Sequence, residues 1–408
     1  MFSVAEAQQR ILAAFSPLEA EAIPLAVALG RILAEDAVAQ DQLPLFDNSA
    51  MDGYALRAAD TQGASRDQPA RLHIAGEIPA GRVLGHTLQE GEAARIFTGG
   101  AVPDGADAVI QQELVAVEDG ALVLQAPVAP ETNVRRAGED VARGAMLLPR
   151  GSEIRPAELA LLASAGVSPV TVRHRPRVAI LATGDELVPA GEPLAPGQIR
   201  ESNSIYLTAA VTRAGAEAIP LGVARDDEDD LRAKLASAQG ADVIISSGGV
   251  SVGDYDLVKQ ILGQQGAVDF WRVWMRPGKP LAFGHLGDTP LIGLPGNPVS
   301  AAVTFELFAR PAIRRMLGAA SVFRPNIEVI LDGPNIEQGD REHYVRVRLR
   351  AEDGVLHARP TGDQRSHIIT SLRGASAYLV IAIGESVVRT GERVPALLLN
   401  DGLPWGDE

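Results

Sequence analysis

Only three of the 37 basic residues in this 408-residue chain are lysines: Lys234, Lys259 and Lys279. Against so arginine-rich a background, a lysine marks a place where a compact, mobile ammonium is wanted rather than a planar fork. Lys279 lies in Arg276-Pro277-Gly278-Lys279-Pro280, one of five loops rich in Gly, Ser or carboxylates. The others are Thr183-Gly184-Asp185-Glu186-Leu187, Arg225-Asp226-Asp227, the run from Ser247-Gly248-Gly249 through Ser251, Gly253 and Asp254 to Asp256, and Pro295-Gly296-Asn297-Pro298-Val299-Ser300. Glycines let backbone N–H groups approach phosphate oxygens, and helix N-termini favour the same charge. Asp and Glu meet phosphate only through a cation, and Mg²⁺ prefers a few carboxylates plus substrate oxygens. The set suits a phosphorylated ligand with a divalent ion. Any single loop of this kind is an ordinary turn or helix cap, so the reading depends on one element arrangement gathering all five.

Other chemistries lose support. The chain has no cysteine, which removes disulfides, thiolate metal sites and thiol nucleophiles. Its seven histidines are scattered singly, so any metal should be a hard ion on oxygen or arrive on a ligand. Neither a Walker A motif nor Gly-x-Gly-x-x-Gly occurs. Gly249-Val250-Ser251-Val252-Gly253 does match the nucleophile elbow of serine hydrolases, with His285 or His343 as a later base. An elbow serine sits directly at a strand end, however, and Gly248, Gly249 and Val250 separate Ser251 from Ser247. A net charge of −15 argues against nucleic acid or an anionic membrane as partner. No apolar run approaches membrane-spanning length, and Met1 to Arg10 lack the features of an export signal, so the cytoplasm is the default.

The elements that would carry these loops can be read from periodicity. Ser3 to Phe15 is expected to be a helix opened by a Ser3/Glu6 capping box, with a second amphipathic stretch from about Pro24 to Ala34. Between Asp52 and Asp140 short apolar runs (RLHIAGEI, EAARIF, DAVIQQELV, ALVLQAPV) read as strands of a small β domain. Pro156 to Ala165 is a helix stopped by Gly166. From Pro176 strands and helices alternate. The strands are RVAILAT, EAIPLGVA, ADVIISS, VDFWRVWM and TPLIGLP; the helices are Ile205–Ala214, Glu228–Ala238 (which puts Lys234 on a solvent-facing surface), Tyr255–Gln264 and Val299–Leu317. That pattern predicts a three-layer α/β domain on a mostly parallel sheet, whose ligands bind beyond the strands' carboxyl ends. After Pro325 the texture reverts to β, with HYVRVRLR and VLHARP flanking a hairpin turn at Glu352-Asp353-Gly354.

Two further segments, Asp47 to Ala55 and Thr98-Gly99-Gly100 through Val109, read from spacing as polar turns at domain junctions. In order along the chain, DNSAMDGYA, FTGGAVPDGADAV, AGEDV, ILATGDEL, GQIRESNS, SSGGVSVGDYD, MRPGKPLAFG and GLPGNPVS together resemble the molybdopterin molybdenumtransferase (MoeA) family, also represented by the gephyrin E domain. The likeness covers nearly the whole chain. SSGGVSVGDYD also resembles the pterin-binding domain of molybdopterin adenylyltransferases, whereas DNSAMDGYA and the β domain after it separate the two.

The resemblance implies an elongated homodimer of multidomain α/β plus β chains. It divides each chain into a helical linker domain (1–45 and 141–175), an inserted β domain (46–140), the α/β pterin-binding domain (176–325) and a C-terminal β barrel (326–408). It implies insertion of molybdate into adenylated molybdopterin with release of AMP, assisted by Mg²⁺. As catalytic residues it implies Asp52, Thr98, Asp140, Glu186 and Lys279, and as metal ligands Asp226, Asp256 and Glu186. The expected substrate-binding residues are Ser202, Asn203, Ser204, Ser247, Gly248, Gly249, Ser251, Gly253, Asp256, Pro295, Gly296, Asn297 and Ser366; Arg346 also matches a functional position. Several family members carry lysine where Arg276 stands. Further implied partners are the adenylyltransferase and molybdoenzyme maturation factors. The alternatives are the adenylyltransferase activity itself and a gephyrin-like scaffold.

Overall fold

The computed structural model describes residues 1–79, 81–225, 227–249 and 268–399. The first helix, Val4–Leu12, has the predicted start: Ser3 Oγ accepts from Glu6 N–H, and the Glu6 carboxylate accepts from Ser3 N–H at 2.8 Å. Its buried face (Val4, Ala7, Ile11) packs on the largest core, shared with the sheet, the barrel and the chain from Pro298 to Met316. That last stretch is helical at Pro298–Thr304 and Arg310–Met316, with a π segment at Phe305–Ala309 between them. Pro311 explains the interruption, because its ring crowds the carbonyl four residues back, at Leu307. Phe305, Leu307 and Phe308 are buried across the segment, each worth about 1.5–3 kcal/mol.

The central sheet has six strands in the order Glu217–Ala224, Arg177–Thr183, Val243–Ser247, Thr289–Leu294, Pro280–Leu286, Val268–Arg272. Pairing is parallel through the first four and antiparallel at Pro280–Leu286. The sheet is therefore mostly parallel, as expected. Pro280–Leu286 was not anticipated: its alternation is blurred because four of its central residues, Leu281 to Gly284, are all buried. Met275, read as the end of VDFWRVWM, and Arg276, read as the first residue of the following loop, instead pair with Glu342–His343 of the C-terminal sheet.

In that sheet Glu342–Glu352, Val355–Pro360, Asn326–Leu331, Arg393–Leu398 and Ala377–Ile381 pair in sequence, and the last closes back on the first, giving a barrel. Asp353 (φ 49°) and Gly354 (φ 76°) form its predicted hairpin turn. Residues 53–124 hold a third six-stranded sheet, mixed in direction. Its Gly53–Leu56 strand, read from spacing as a turn, lies between Glu92–Ile96 and Ala108–Gln111. The amphipathic stretch from Pro24 to Ala34 is not a helix. It holds one short 3-10 turn, Leu25–Val27, and then Ile32 and Leu33 bridge to Glu153 and Val172. Gly30, at φ 72°, breaks the path, and pairing across the domain overrides local periodicity.

Candidate functional site

The parallel pairing sets the carboxyl ends of four strands along one sheet edge, at Thr183, Ala224, Ser247 and Leu294; Arg272 ends there too, and Lys279 leads into the antiparallel strand from the same side. The five loops of interest thus share an edge. Asn203 ties two of them to a helix start. Its side-chain amide donates to Ser247 Oγ at 2.8 Å and to the Gly296 carbonyl at 2.7 Å. Asn203 opens the Asn203–Arg213 helix directly after Ser202. The Glu201 carboxylate accepts from Ser204 N–H at 2.8 Å, while Ser204 Oγ, and on the other face of the sheet Ser246 Oγ, are buried with no partner among the described residues. Such orphaned hydroxyls are what a ligand would satisfy. Gly248 must be glycine: at φ 93°, a Cβ would meet the Thr183 carbonyl oxygen at 2.8 Å. Gly249 follows it, Pro295, Gly296 and Asn297 form the turn before the Pro298–Thr304 helix, and Ser251, Gly253, Asp226 and Asp256 lie outside the described residues.

Glu186 is exposed, and its carboxylate curls over Gly184, where a Cβ would meet Oε2 at 2.4 Å. No described residue donates to its side chain, so it fits as one oxygen ligand for a hard cation; among the described residues no group of three metal-binding side chains assembles. Lys279 is half-buried, and its ammonium makes no hydrogen bond or ion pair to a described residue. Its carbonyl accepts from Val273 N–H at 2.9 Å, which fixes the turn. Lys234, by contrast, does not stand clear of the protein. It is half-buried on the Glu228–Ala236 helix with Nζ 3.4 Å from the Leu221 carbonyl, because that helix packs across the sheet's outer strand.

The barrel reaches this edge through a loop. Val299 N–H, at the start of the Pro298–Thr304 helix, donates to the Ser366 carbonyl at 3.2 Å. Arg346, fully buried, holds that loop from below: Nε donates to Ser371 Oγ at 3.2 Å, and its backbone N–H donates to Gln364 at 2.9 Å. Burial pulls its guanidinium down to about 10, so it stays charged at neutral pH. His343, beside it, is pushed down to about 3 by burial and then by Arg276 and Arg346. The ring is therefore neutral. Between pH 6.5 and about 3 the unfolded chain binds a proton the folded chain refuses, so this group favours unfolding as pH falls through that window. Sequence alone gave no sign of the Arg276–His343–Arg346 layer beyond two arginines in separate motifs.

The amino-terminal residues form a second group. Asp52 Oδ1 accepts from both the N–H and the hydroxyl of Thr98, each at 2.7 Å. Those two bonds, backbone first, hold the exposed carboxyl below its usual range. Ser49 N–H donates to the Gly100 carbonyl and Gly99 N–H to the Ser49 carbonyl, so the two motifs are one surface. Asp47 is engaged elsewhere, with Ala137 N–H at 2.8 Å and with Arg136, which also grips Glu131. This structural hub was not read from sequence; an Asp and an Arg 89 positions apart give no local signal. Asp140 is exposed, its N–H on the Leu43 carbonyl at 3.0 Å. Among the described residues no hydrogen bond or ion pair joins Asp52, Thr98 or Asp140 to Glu186 or Lys279.

The Asp52–Thr98 pair yields a direct test. Thr98→Val removes the hydroxyl donor and keeps the backbone one, so the Asp52 pKa should rise part of the way toward 3.8. A carboxyl-carbon NMR titration would check this; an unmoved midpoint would mean the hydroxyl bond does not form in solution.

Comparison with known proteins extends the picture. Residues 2–166 match the family model "MoeA N-terminal region (domain I and II)", residues 179–315 "Probable molybdopterin binding domain", and residues 329–399 "MoeA C-terminal region (domain IV)". The chain is 40% identical to molybdopterin molybdenumtransferase 2 of Mycobacterium tuberculosis, over 95% of this chain and 96% of that one. It is 37% identical to the molybdopterin molybdenumtransferase of Bacillus subtilis, over 98% and 95%. A crystal structure of the molybdopterin biosynthesis MoeA protein from Pyrococcus horikosii superposes with a TM-score of 0.84 at 33% identity, covering 98% of this chain and 100% of that one.

Proposed function

Because this chain belongs to the MoeA family of molybdopterin molybdenumtransferases, we propose that it is a transferase of molybdenum-cofactor biosynthesis that inserts molybdate into adenylated molybdopterin and releases AMP. The observation that carries the reading is the convergence of five strand-end loops on one edge, stitched by Asn203, with the Lys279 ammonium left for a ligand. Gly249 N–H and Ser300 N–H are the backbone donors nearest to hand for phosphate, since Gly248 N–H is held by the Leu294 carbonyl and Val299 N–H by the Ser366 carbonyl. Ser204 supplies an unspent hydroxyl. Lys279 balances negative charge on molybdate and on the phosphates as the bond to AMP breaks. Ser366 belongs to the barrel loop above that helix. Arg346, buried beneath the loop, is a positioning residue. Glu186 would hold Mg²⁺ together with Asp226 and Asp256; such an ion stabilises the leaving phosphate as a Lewis acid when bound.

The five segments bounded at about 46, 141, 176 and 326 are taken as four domains on the same reading, 1–45 and 141–175 forming one. Asp52, Thr98 and Asp140 complete the site from the partner subunit of a homodimer. Support comes from their separation from Lys279 within one chain and from the exposed Leu45, Phe46 and Met51 beside them, at 54%, 47% and 41% of full accessibility. Sedimentation at micromolar concentration is expected to give a dimer, and a monomer alone would remove this arrangement. No helix among the described residues is long and apolar enough to cross a membrane; the cytoplasm is proposed as the place of action. The decisive assay incubates the protein with purified molybdopterin-AMP, molybdate and Mg²⁺ and follows AMP. ATP-dependent adenylation of molybdopterin instead would assign the adenylyltransferase reaction. A stable protein partner without turnover would assign a scaffold.

A further inference from the structure

Besides its carboxylates, the Asp52–Thr98 surface carries a cation. Arg95 lies in the Glu92–Ile96 strand, which pairs with Gly53–Leu56. The register of Gly53 with Ile96 and of Tyr54 with Arg95 places Asp52 opposite Phe97, so Asp52, Tyr54, Arg95 and Phe97 share one face. Ala94 and Ile96, fully buried on the opposite face, pin that register. The Arg95 guanidinium is half-buried over the Phe97 ring, 5.3 Å from its centroid, and makes no hydrogen bond or ion pair to a described residue. Glu77 is its register partner on the Ala70–Ile78 strand, yet the two form no ion pair. Asp52 does not consume the cation either. That carboxyl is held low first by the two Thr98 bonds, and the Arg95 charge acts on it only in addition. Stacking on a ring orients a guanidinium and leaves its N–H fork available.

We propose that Arg95 is an anion-binding residue of the Asp52–Thr98 surface, its fork taking a tetrahedral oxyanion, either molybdate or a phosphate of the adenylated pterin. The inference rests on the reaction proposed above. Asp52 and Asp140 are both exposed carboxylates, and an oxyanion set against them alone is repelled. A planar guanidinium offsets that repulsion and offers two parallel N–H donors to two oxygens of the ligand. Lys279 meets the anion as a point charge from the edge of the α/β sheet, and Arg95 meets it as a fork from the inserted sheet that carries Asp52.

Calorimetric titration of the full chain with molybdate alone and with AMP alone, at fixed ionic strength, tests the assignment. Arg95→Gln is expected to weaken binding of at least one probe about tenfold. A loss for molybdate only places the metal oxyanion at Arg95, and a loss for AMP only places the phosphate there. Arg95→Lys keeps the charge without the fork and should fall between wild type and Arg95→Gln. Phe97→Leu removes the ring that seats the guanidinium and should weaken the same probe; it carries the test should Arg95→Gln fail to fold. Arg71→Gln removes an equal charge from the same sheet, at a residue paired with Glu118, and should change neither titration. Unchanged binding in Arg95→Gln and Phe97→Leu, an equal loss in Arg71→Gln, or a wild-type chain that binds neither probe would each overturn the proposal. A wild-type chain that binds a probe through Arg95 yet releases no AMP would support this site and remove the proposed reaction.

Discussion

Lys279→Gln is expected to slow molybdate-dependent AMP release by at least about tenfold, equivalent to about 1.4 kcal/mol in the barrier, with little change in melting temperature. The separation of the two effects follows from the side chain's surroundings. Its backbone is fixed, through the Val273 N–H bond to its carbonyl and through Gly278, whose φ of 104° and contact with Thr304 leave no room for a Cβ. Its ammonium, half-buried, has no hydrogen bond or ion pair to a described residue. Removing it therefore breaks no protein contact of that kind, and relief of an uncompensated cation can even stabilise the fold. Arginine keeps the charge but presents a planar fork, so Lys279→Arg should also be slow. Lys234→Gln is a poor control, because Lys234 contacts the Leu221 carbonyl. Arg350→Gln, on the exposed face of the barrel and, among the described residues, ion-paired only with Glu352, serves better. Thermal unfolding and turnover measured on all three variants decide the matter. Full turnover in both Lys279 variants would remove the charge-balancing role.

Much of this site was legible because its parts lie at strand ends. Buried apolar runs such as RVAILAT and ADVIISS announce parallel strands, and the right-handed alternation with helices forces their carboxyl ends to one side. The sequence pattern alone therefore assigns Glu186, Ser247, Gly248, Gly296 and Lys279 to one edge, and the strand pairing agrees. What could not be read was pairing across the chain. Asn203 looked like one polar residue among several in GQIRESNS, yet its amide joins residues 44 and 93 positions away. His343 and Arg276 meet only because a two-residue strand of the α/β segment joins the barrel sheet. The Pro24–Ala34 stretch failed for the same reason: its apolar spacing suits a helix, but its partners at Glu153 and Val172 are remote in sequence. Gly53 is the sharpest instance. Spacing reads DNSAMDGYA as a turn, and nothing local reveals that its glycine sits in a strand paired on both sides, against the Ile110 carbonyl.

Gly53→Ala is accordingly expected to have the largest structural effect of any single-methyl change near Asp52. Gly53 pairs with Ile96 on one side and Gln111 on the other. A Cβ built there falls 1.9 Å from the Ile110 carbonyl oxygen and 2.9 Å from its carbon. These are backbone atoms held by the sheet, so no rotamer change relieves the overlap and the strands must part. Overpacking of this kind costs about 3 kcal/mol, enough to unfold much of a marginal domain. The consequence for chemistry is separate and follows from position. Asp52 precedes Gly53 and reaches both Thr98 donors at 2.7 Å, while its own carbonyl accepts from Gln112 N–H at 3.2 Å. A strand displaced by about 1 Å would break this geometry, and errors of that size cost on the order of a hundredfold in rate. Gly85→Ala is the matched control, since nothing lies within 4 Å of its Cβ and its backbone is not left-handed. Urea unfolding should show a large loss for Gly53→Ala and almost none for Gly85→Ala. Turnover at low temperature, where the damaged domain is still folded, should remain depressed in the first and normal in the second. If Gly53→Ala instead unfolds with the wild-type midpoint and turns over normally, the strand pairing at Gly53 is looser than the 1.9 Å approach implies, and Asp52 does not depend on it.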